Sequence, residues 1–251
     1  MQKNDVEVES IQIHLDSRNA ISYNNNLTSD CYFFFNNRLE IPSQHTIYIS
    51  VISASIPFSF YSMNTNNNLL SYSINSINYF ITITPGNYNA INLISFINQN
   101  LQSGLTCSYN QITSKITFSH TTSEFIINSS STCLVLLGIN KTFSSISKSL
   151  TCDNCLNLQT VQAIYMLTNL SIGNMCVGNL NRNNVLLSIP VESSPNSSIV
   201  YQNQNNFRNN LYSNNLNFIN IKLADQYQNA LDLNGQHWVA TLQLDIVDFV
   251  N

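Results

Sequence analysis

The residues of this chain that could do chemistry are six cysteines and four histidines, and neither set has the spacing of a catalytic or metal site. Cys152 and Cys155 form a CxxC pair. A structural zinc site needs four ligands, so this pair would require a second Cys or His pair at short spacing, and the sequence contains none. We interpret Cys152 and Cys155 as free thiols in a loop. A disulfide formed in an oxidising medium and a metal site are the alternatives.

The other polar residues do not form an enzyme motif either. The histidines stand far apart without an HExxH pattern, and the six glycines form neither GxSxG nor a phosphate-binding loop. Carboxylates in the C-terminal strands are expected to be solvated, as is His14 on the polar side of its strand; these carboxylates are Asp225, Asp232, Asp245 and Asp248. We therefore predict a protein that is not an enzyme, with no catalytic residue, no cofactor and no metal.

The composition excludes further classes of function. Charged residues make up 9% of the chain, the net charge is −4, and no run of Lys or Arg occurs. Direct binding of nucleic acid is not expected, because it requires a basic surface. The first ten residues are polar and acidic, and no apolar run of about 18 residues exists. We expect a soluble, non-secreted chain without a membrane span.

Most of the chain has the period-two alternation of β-strands. Strands are predicted at 11–15, 32–35 and 47–56, and again at 159–170, 184–190, 198–201, 217–223 and 238–247. The Asn-rich segment 202–217 is predicted to be a loop. In the last strand five apolar residues face one way, beginning with Trp238. We expect Trp238 to be a core anchor, with an interface hot spot as the alternative.

The middle of the chain differs from the rest. A helix is predicted over 85–101, capped by Asn87 or Asn89, with an apolar face formed by Ala90, Ile94, Ile97 and Leu101 and with Leu93 beside it. Strands are predicted at 69–77, 79–84, 107–109, 115–119 and 125–127. A short helix over 133–137, capped by Ser131 or Thr132, should end at Gly138.

These patterns predict a mainly β fold, a β-sandwich of about eight strands with an inserted small α+β subdomain. A jelly roll has that number of strands. We assign residues 1–63 and 151–251 to the discontinuous sandwich and residues 64–150 to the inserted subdomain. Two local features are also expected: Arg18 pairs with Asp16 or contacts a neighbouring subunit, and Asn234-Gly235 forms a tight hairpin turn.

Five short motifs occur in order along the chain: LDSRN at 15–19, IPFSFY at 56–61, PGNY at 85–88 followed by LISFIN at 93–98, LLGI at 136–139, and LDLNGQHW at 231–238. In order and spacing they resemble motifs of the minor capsid and penton proteins of virophages, polinton-like viruses and giant double-stranded DNA viruses. The resemblance spans nearly the whole chain, although no motif matches between about 140 and 215. It implies a jelly roll in an icosahedral shell, without catalytic residues.

The resemblance implies a penton at the capsid vertices that forms homopentamers, or a minor capsid or cement protein beneath or between the major capsomers. The expected partners are further copies of the chain, the major capsid protein and other minor capsid proteins, in a virion assembled in the host cytoplasm. We expect interface contacts from Arg18, Tyr61, Phe207, Arg208 and Tyr212. A carbohydrate-binding sandwich is the other hypothesis, with a host glycan bound by Tyr61, Tyr201, Tyr212 and Tyr227.

Overall fold

The computed structural model describes residues 6–40, 45–140, 148–173, 184–213 and 215–249. The chain divides into two compact units. We call Met1–Phe60 together with Val161–Asn251 the sandwich unit, and Tyr61–Thr160 the inserted unit. In chain order the strands are β1 (Val6–Asp16), β2 (Ser22–Tyr23), β3 (Asp30–Glu40), β4 (Thr46–Pro57), β5 (Leu69–Ile74), β6 (Ile77–Thr82), β7 (Leu105–Asn110), β8 (Lys115–His120), β9 (Phe125–Ile127), β10 (Ser149–Thr151), β11 (Ala163–Thr168), β12 (Val185–Pro190), β13 (Ser198–Gln202), β14 (Asn209–Leu211), β15 (Asn215–Ala224) and β16 (Val239–Phe249).

Two five-stranded antiparallel sheets make up the sandwich unit. In the first, which we call sheet A, the order is β1-β16-β4-β13, and β14 also pairs with β4. In the second, sheet B, the order is β12-β11-β15-β3-β2. If the two-residue β2 is set aside, and if β13 and β14, which pair with successive parts of β4, are counted as one strand, the remaining eight strands follow the order of a jelly roll. The predicted fold class is therefore confirmed.

The core of the sandwich unit follows from the period-two pattern. Leu242 and Leu244 of sheet A and Ile221 of sheet B are fully buried in one cluster, because alternate side chains of both sheets point inward. Trp238 is also fully buried, as predicted. It lies one residue before β16, so this strand begins at Val239 rather than at Trp238.

Three local predictions for the sandwich unit need correction. The Asn-rich segment is not one loop, because β14 and the start of β15 lie within it and Asn209 is buried, with its amide donating to the carbonyl of Leu186 at 3.2 Å. Asp245 is buried rather than solvated, since it accepts hydrogen bonds within sheet A. Asn234 and Gly235 do form a turn, with positive φ of 50° and 74°, but no strand precedes it.

The inserted unit contains two three-stranded sheets and two helices. The sheets have the orders β6-β5-β9 and β10-β8-β7. Helix α1 spans Ala90–Asn100 and helix α2 spans Leu134–Leu137. Neither helix of the described part of the chain is long and apolar enough to cross a membrane.

Of the helix caps predicted from the sequence, Asn89 at α1 is present, whereas neither of the two predicted for α2 is. Asn89 caps α1, since its side-chain oxygen accepts from the backbone N–H of Asn92 at 2.8 Å, so α1 starts later than predicted. No side chain caps α2, because the hydroxyl groups of Ser131 and Thr132 bond to β5 instead. Gly138 ends α2 with φ of 80°, and a Cβ atom there would lie 2.3 Å from the carbonyl oxygen of Asn154.

The apolar face of α1 forms part of a separate core in the inserted unit. Leu93, Ile94 and Ile97 are buried there, whereas Ala90 and Leu101 lie at its margin. The two ends of this unit also meet, since the hydroxyl of Thr160 donates to the carbonyl of Ser62 at 3.1 Å. That the domain boundaries predicted from the sequence mark independently folding parts stays a prediction.

Replacing Ile97 with Asp tests that prediction. Ile97 is fully buried, so an unpaired carboxylate there should destabilise the inserted unit by more than about 4 kcal/mol. In hydrogen exchange, amides of the inserted unit should lose protection while those of sheets A and B keep it. Ile91→Asp is the matched control, because Ile91 lies on the same helix and is 65% exposed. Simultaneous loss of protection in both units would contradict independent folding.

Candidate assembly surfaces

The cysteines belong mainly to the cores. Cys31, Cys107, Cys133 and Cys152 are buried free thiols. Burial raises the pKa of Cys31 and Cys133 to about 12 and that of Cys152 to about 11. Cys155 is exposed, and its thiol lies 3.3 Å from the carbonyl of Thr113. Cys176 lies outside the described residues. The CxxC pair therefore consists of one core thiol and one surface thiol.

The histidines lie apart from one another, and His14, His120 and His237 each contact a hydroxyl or backbone group. His14 is exposed, as predicted, and contacts the hydroxyl of Thr241 at 3.2 Å. The ring of His120 accepts from the backbone of Ser123 at 2.8 Å, and that of His237 lies 3.0 Å from the hydroxyl of Ser17. Among the described residues no group of three or more His, Cys, Asp or Glu is positioned to hold a metal ion.

Three of the five sequence motifs meet at one end of the sandwich unit. The backbone N–H of Ser17 donates to the carbonyl of Trp238, and the N–H of Trp238 donates to the hydroxyl of Ser17, both at 3.0 Å. Ser59 of the second motif donates to the carbonyl of Leu233 at 2.6 Å, and Asn234 donates to the carbonyl of Ser59. These motifs therefore hold the jelly roll together at this end.

The predicted pair between Arg18 and Asp16 is present. The guanidinium donates to both carboxylate oxygens, the closest at 2.6 Å, and it lowers the pKa of Asp16 through these hydrogen bonds. The Arg18 side chain is 66% exposed. Its role in an interface stays a prediction.

Arg208 anchors the segment between β13 and β14 to the outer face of sheet A. Its guanidinium lies 4.0 Å from the centre of the Tyr48 ring and 4.0 Å from the Asp245 carboxylate. Asp245 also accepts from the Ser10 hydroxyl at 2.6 Å and from the Gln243 amide at 2.7 Å. Because a strand register is needed to bring Ser10, Tyr48 and Asp245 together, sequence reasoning missed this cluster.

The other predicted interface residues are exposed aromatic side chains. Phe207 is 48% exposed and Tyr212 is 65% exposed, and together with Arg208 they flank β14 at one edge of sheet A. Tyr61 belongs to the inserted unit and is 40% exposed. Of the remaining tyrosines named for sugar binding, Tyr227 is exposed whereas Tyr201 is partly buried, which raises its pKa.

A groove of 410 Å³ crosses the outer face of sheet A. Val239, Ser55 and Val200 stand directly opposite one another on β16, β4 and β13, and a second row below them consists of polar side chains, Thr241, Ser53 and Gln202. The two valines are exposed, whereas the serine between them is short. We call Val200, Ser55 and Val239 the valine notch.

The outer face of sheet B carries three aromatic side chains, Tyr32, Phe34 and Phe218, which we call the aromatic row; Phe34 is exposed and the other two are half-buried. Phe34 and Phe218 are directly opposed across β3 and β15, with stacked rings 5.5 Å apart. Tyr32 lies 6.2 Å from Phe218. Phe34 is 53% exposed, because its neighbour Phe33 takes the inward position against Trp238.

In the inserted unit, the face of the β10-β8-β7 sheet opposite its core is lined by hydroxyl groups. Two cross-strand rows are in register: Thr106, Ser119 and Ser149, and Ser108, Thr117 and Thr151. The Thr117 and Thr151 hydroxyls are 2.9 Å apart, and those of Ser119 and Ser149 are 3.2 Å apart. The two rows themselves are neutral and offer hydrogen bonds, and the one cation beside them on β8 is Lys115, whose ammonium donates to the carbonyl of Asp153 at 2.6 Å.

The chain shares its fold with the mavirus penton protein. The crystal structure of that protein, in its selenomethionine form, superposes with a TM-score of 0.51 at 14% sequence identity, covering 95% of this chain and 99% of the other. No family model matches the chain, and no curated protein matches it. The resemblance read from the motifs is thus confirmed at the level of fold, including its nearly full-length extent.

Substitution of Asp245 tests the cluster on sheet A. Asp245→Ala should lower the free energy of unfolding by about 1–3 kcal/mol, because it removes the acceptor shared by Ser10 and Gln243. Arg208→Ala should cost only about 0.5–1 kcal/mol, since Arg208 is half exposed. Urea denaturation measures both. The loss in the free energy of unfolding for Asp245→Asn, which keeps an acceptor oxygen, should lie between the losses for Asp245→Ala and Arg208→Ala. An equal loss for all three variants would contradict the assignment.

Thiol labelling tests the contrast between the cysteines. At pH 8, with mass-spectrometric mapping of each site, Cys155 should react at least about a hundredfold faster than Cys31, Cys107, Cys133 or Cys152, because burial keeps those four protonated and inaccessible. Labelling in denaturant is the control and should remove the difference. Equal rates for Cys152 and Cys155 in the folded protein would contradict the burial of Cys152.

Proposed function

We propose that this chain is a structural component of an icosahedral viral capsid, and specifically the penton that forms pentamers at the vertices. The observation that carries the proposal is a jelly roll interrupted by a second unit, in a chain that is matched over 95% of its length by a penton protein. In this proposal the protein works by assembly, through burial of apolar surface and shape complementarity between copies.

A five-membered ring requires two different surfaces on each copy, because head-to-tail contacts are heterologous. The edges of the sandwich unit supply candidates. Phe207, Arg208 and Tyr212 lie around β14, and Arg18 lies near the opposite edge of sheet A, beside the end of β1. We propose these residues, with Tyr61 of the inserted unit, as contacts to neighbouring copies, to the major capsid protein or to other minor capsid proteins in a virion assembled in the host cytoplasm.

Two other functions have support. A minor capsid or cement protein beneath or between the major capsomers would use the same jelly roll without forming a ring. A carbohydrate-binding function is favoured by the hydroxyl-lined face of the inserted unit, because the hydroxyls of Thr106, Ser108, Thr117 and Ser119 repeat at the register of the strands and could bond to a neutral polyhydroxylated ligand. Such binding is compatible with a vertex protein that contacts host glycans.

The mass of the purified chain tests the penton proposal. Native mass spectrometry should give five times the 28.3 kDa of one chain, because the ring closes after five copies. A near-atomic map of the particle should then show the chain on the five-fold axes. A density beneath the major capsomers would instead assign the cement role. A stable monomer that binds sugars saturably on a glycan array would contradict the penton proposal and support a carbohydrate-binding protein.

A further inference from the structure

The valine notch has the dimensions of a slot for one flat ring. Val239 and Val200 flank Ser55 on the two neighbouring strands, and adjacent strands lie about 4.8 Å apart, so the valines stand roughly 9–10 Å from each other. An aromatic ring between them would contact both at about 4 Å. The serine hydroxymethyl group below leaves this space open. Val200 is 64% exposed and Val239 is 41% exposed, so the slot is apolar on both sides.

The aromatic row on sheet B presents one ring that fits such a slot. Phe34 projects from β3 and is held against Phe218, with the ring planes 28° apart. This contact restricts the ring before any association, which lowers the entropy lost on binding. Tyr32, two residues before Phe34 on β3, lies diagonally across from Phe218 and extends the same surface. The row is therefore a rigid apolar projection.

Both surfaces carry charges only in closed pairs or hydrogen bonds. At the groove, Asp16 is neutralised by Arg18 at 2.6 Å. Near the aromatic row, Arg38 pairs with Glu40 at 3.2 Å, and the Lys222 ammonium donates to the carbonyl of Gln228 at 3.1 Å. Lys222 also stands directly opposite Asp30 across β15 and β3, so positive and negative charges balance near the aromatic row as they do in the pair of Asp16 and Arg18. Packing one surface on the other therefore brings no excess of like charge together.

We infer that the aromatic row of one copy packs on the valine notch of the next, with Phe34 lying between Val200 and Val239 above Ser55. This inference rests on the proposed function and adds a contact between sheet faces to the edge residues proposed there. Because the aromatic row and the valine notch lie on different sheets, one copy can contact two neighbours at once, as head-to-tail association requires.

The areas agree with an anchor inside a larger contact. The partly exposed rings of the aromatic row offer roughly 200–300 Å² of apolar surface. A stable interface buries about 800 Å² per partner. Most of the binding energy of such an interface comes from a few central anchor residues, which are often aromatic. Amide and hydroxyl groups around the two surfaces, such as Asn220 beside the row and Ser53 and Gln202 beside the notch, would form the polar rim.

Two variants test the pairing by opposite routes. Phe34→Asp removes the projection but keeps the notch. Ser55→Trp fills the notch but keeps the projection, and because Ser55 points outward it should leave the core intact. Each variant alone should be monomeric in native mass spectrometry and sedimentation velocity, whereas the unaltered chain forms the closed ring. An equimolar mixture of the two should give a 1:1 dimer of twice the chain mass, because only one functional interface can form.

Matched controls replace exposed apolar residues elsewhere on the sandwich unit. Val8→Asp alters the same face of sheet A, about 26 Å along β1 from Asp16, and Tyr227→Asp alters an exposed aromatic residue in the loop after β15. Both should keep the ring, and circular dichroism should show all four variants folded. If Ser55→Trp still forms the ring, or the mixture forms no dimer, the pairing is wrong while the penton proposal stands. If the unaltered chain forms no ring, both are overturned.

Discussion

Burial of the single tryptophan is the constraint on which the sandwich unit depends. Trp238 joins three segments far apart in the sequence: its backbone bonds to Ser17 at the end of β1, its indole N–H donates to the carbonyl of Thr28 at 2.8 Å, and its ring meets the edge of Phe33 from β3. The one polar atom of the buried indole is therefore hydrogen-bonded. The start of the last strand is thus fixed against both sheets, and with it the register of β16 along β1 and β4.

Much of this fold could be predicted from the sequence because burial imposes a period. Alternation identified the longer strands of both sheets, though not β2 or β14, and the spacing of Ile94 and Ile97 identified α1. The predictions that failed concern polar groups. Asp245, Asn209 and Ser131 are each buried with partners more than twenty residues away, and no local pattern marks such a contact. The same limit applies to the valine notch, which exists only when three strands are in register.

The scarcity of charge on this chain has a consequence for association. Exposed ion pairs such as Asp16 with Arg18 are closed within one copy, so the proposed contacts between copies would depend on apolar and hydrogen-bonding groups. Coulomb forces are screened by salt, whereas apolar burial weakens on cooling. The pentamer proposed above should therefore respond more to temperature than to ionic strength.

The hydrogen bond between Thr160 and Ser62 places the two ends of the inserted unit next to each other. To the rest of the chain, an insertion with adjacent ends is equivalent to a short loop between β4 and β11, and the entropy of closing a loop grows by only about 0.6 kcal/mol for each doubling of its length. The stability of the jelly roll should therefore depend little on the length of what is inserted at this point. We therefore expect that the inserted unit can be exchanged for another while the sandwich unit keeps its fold.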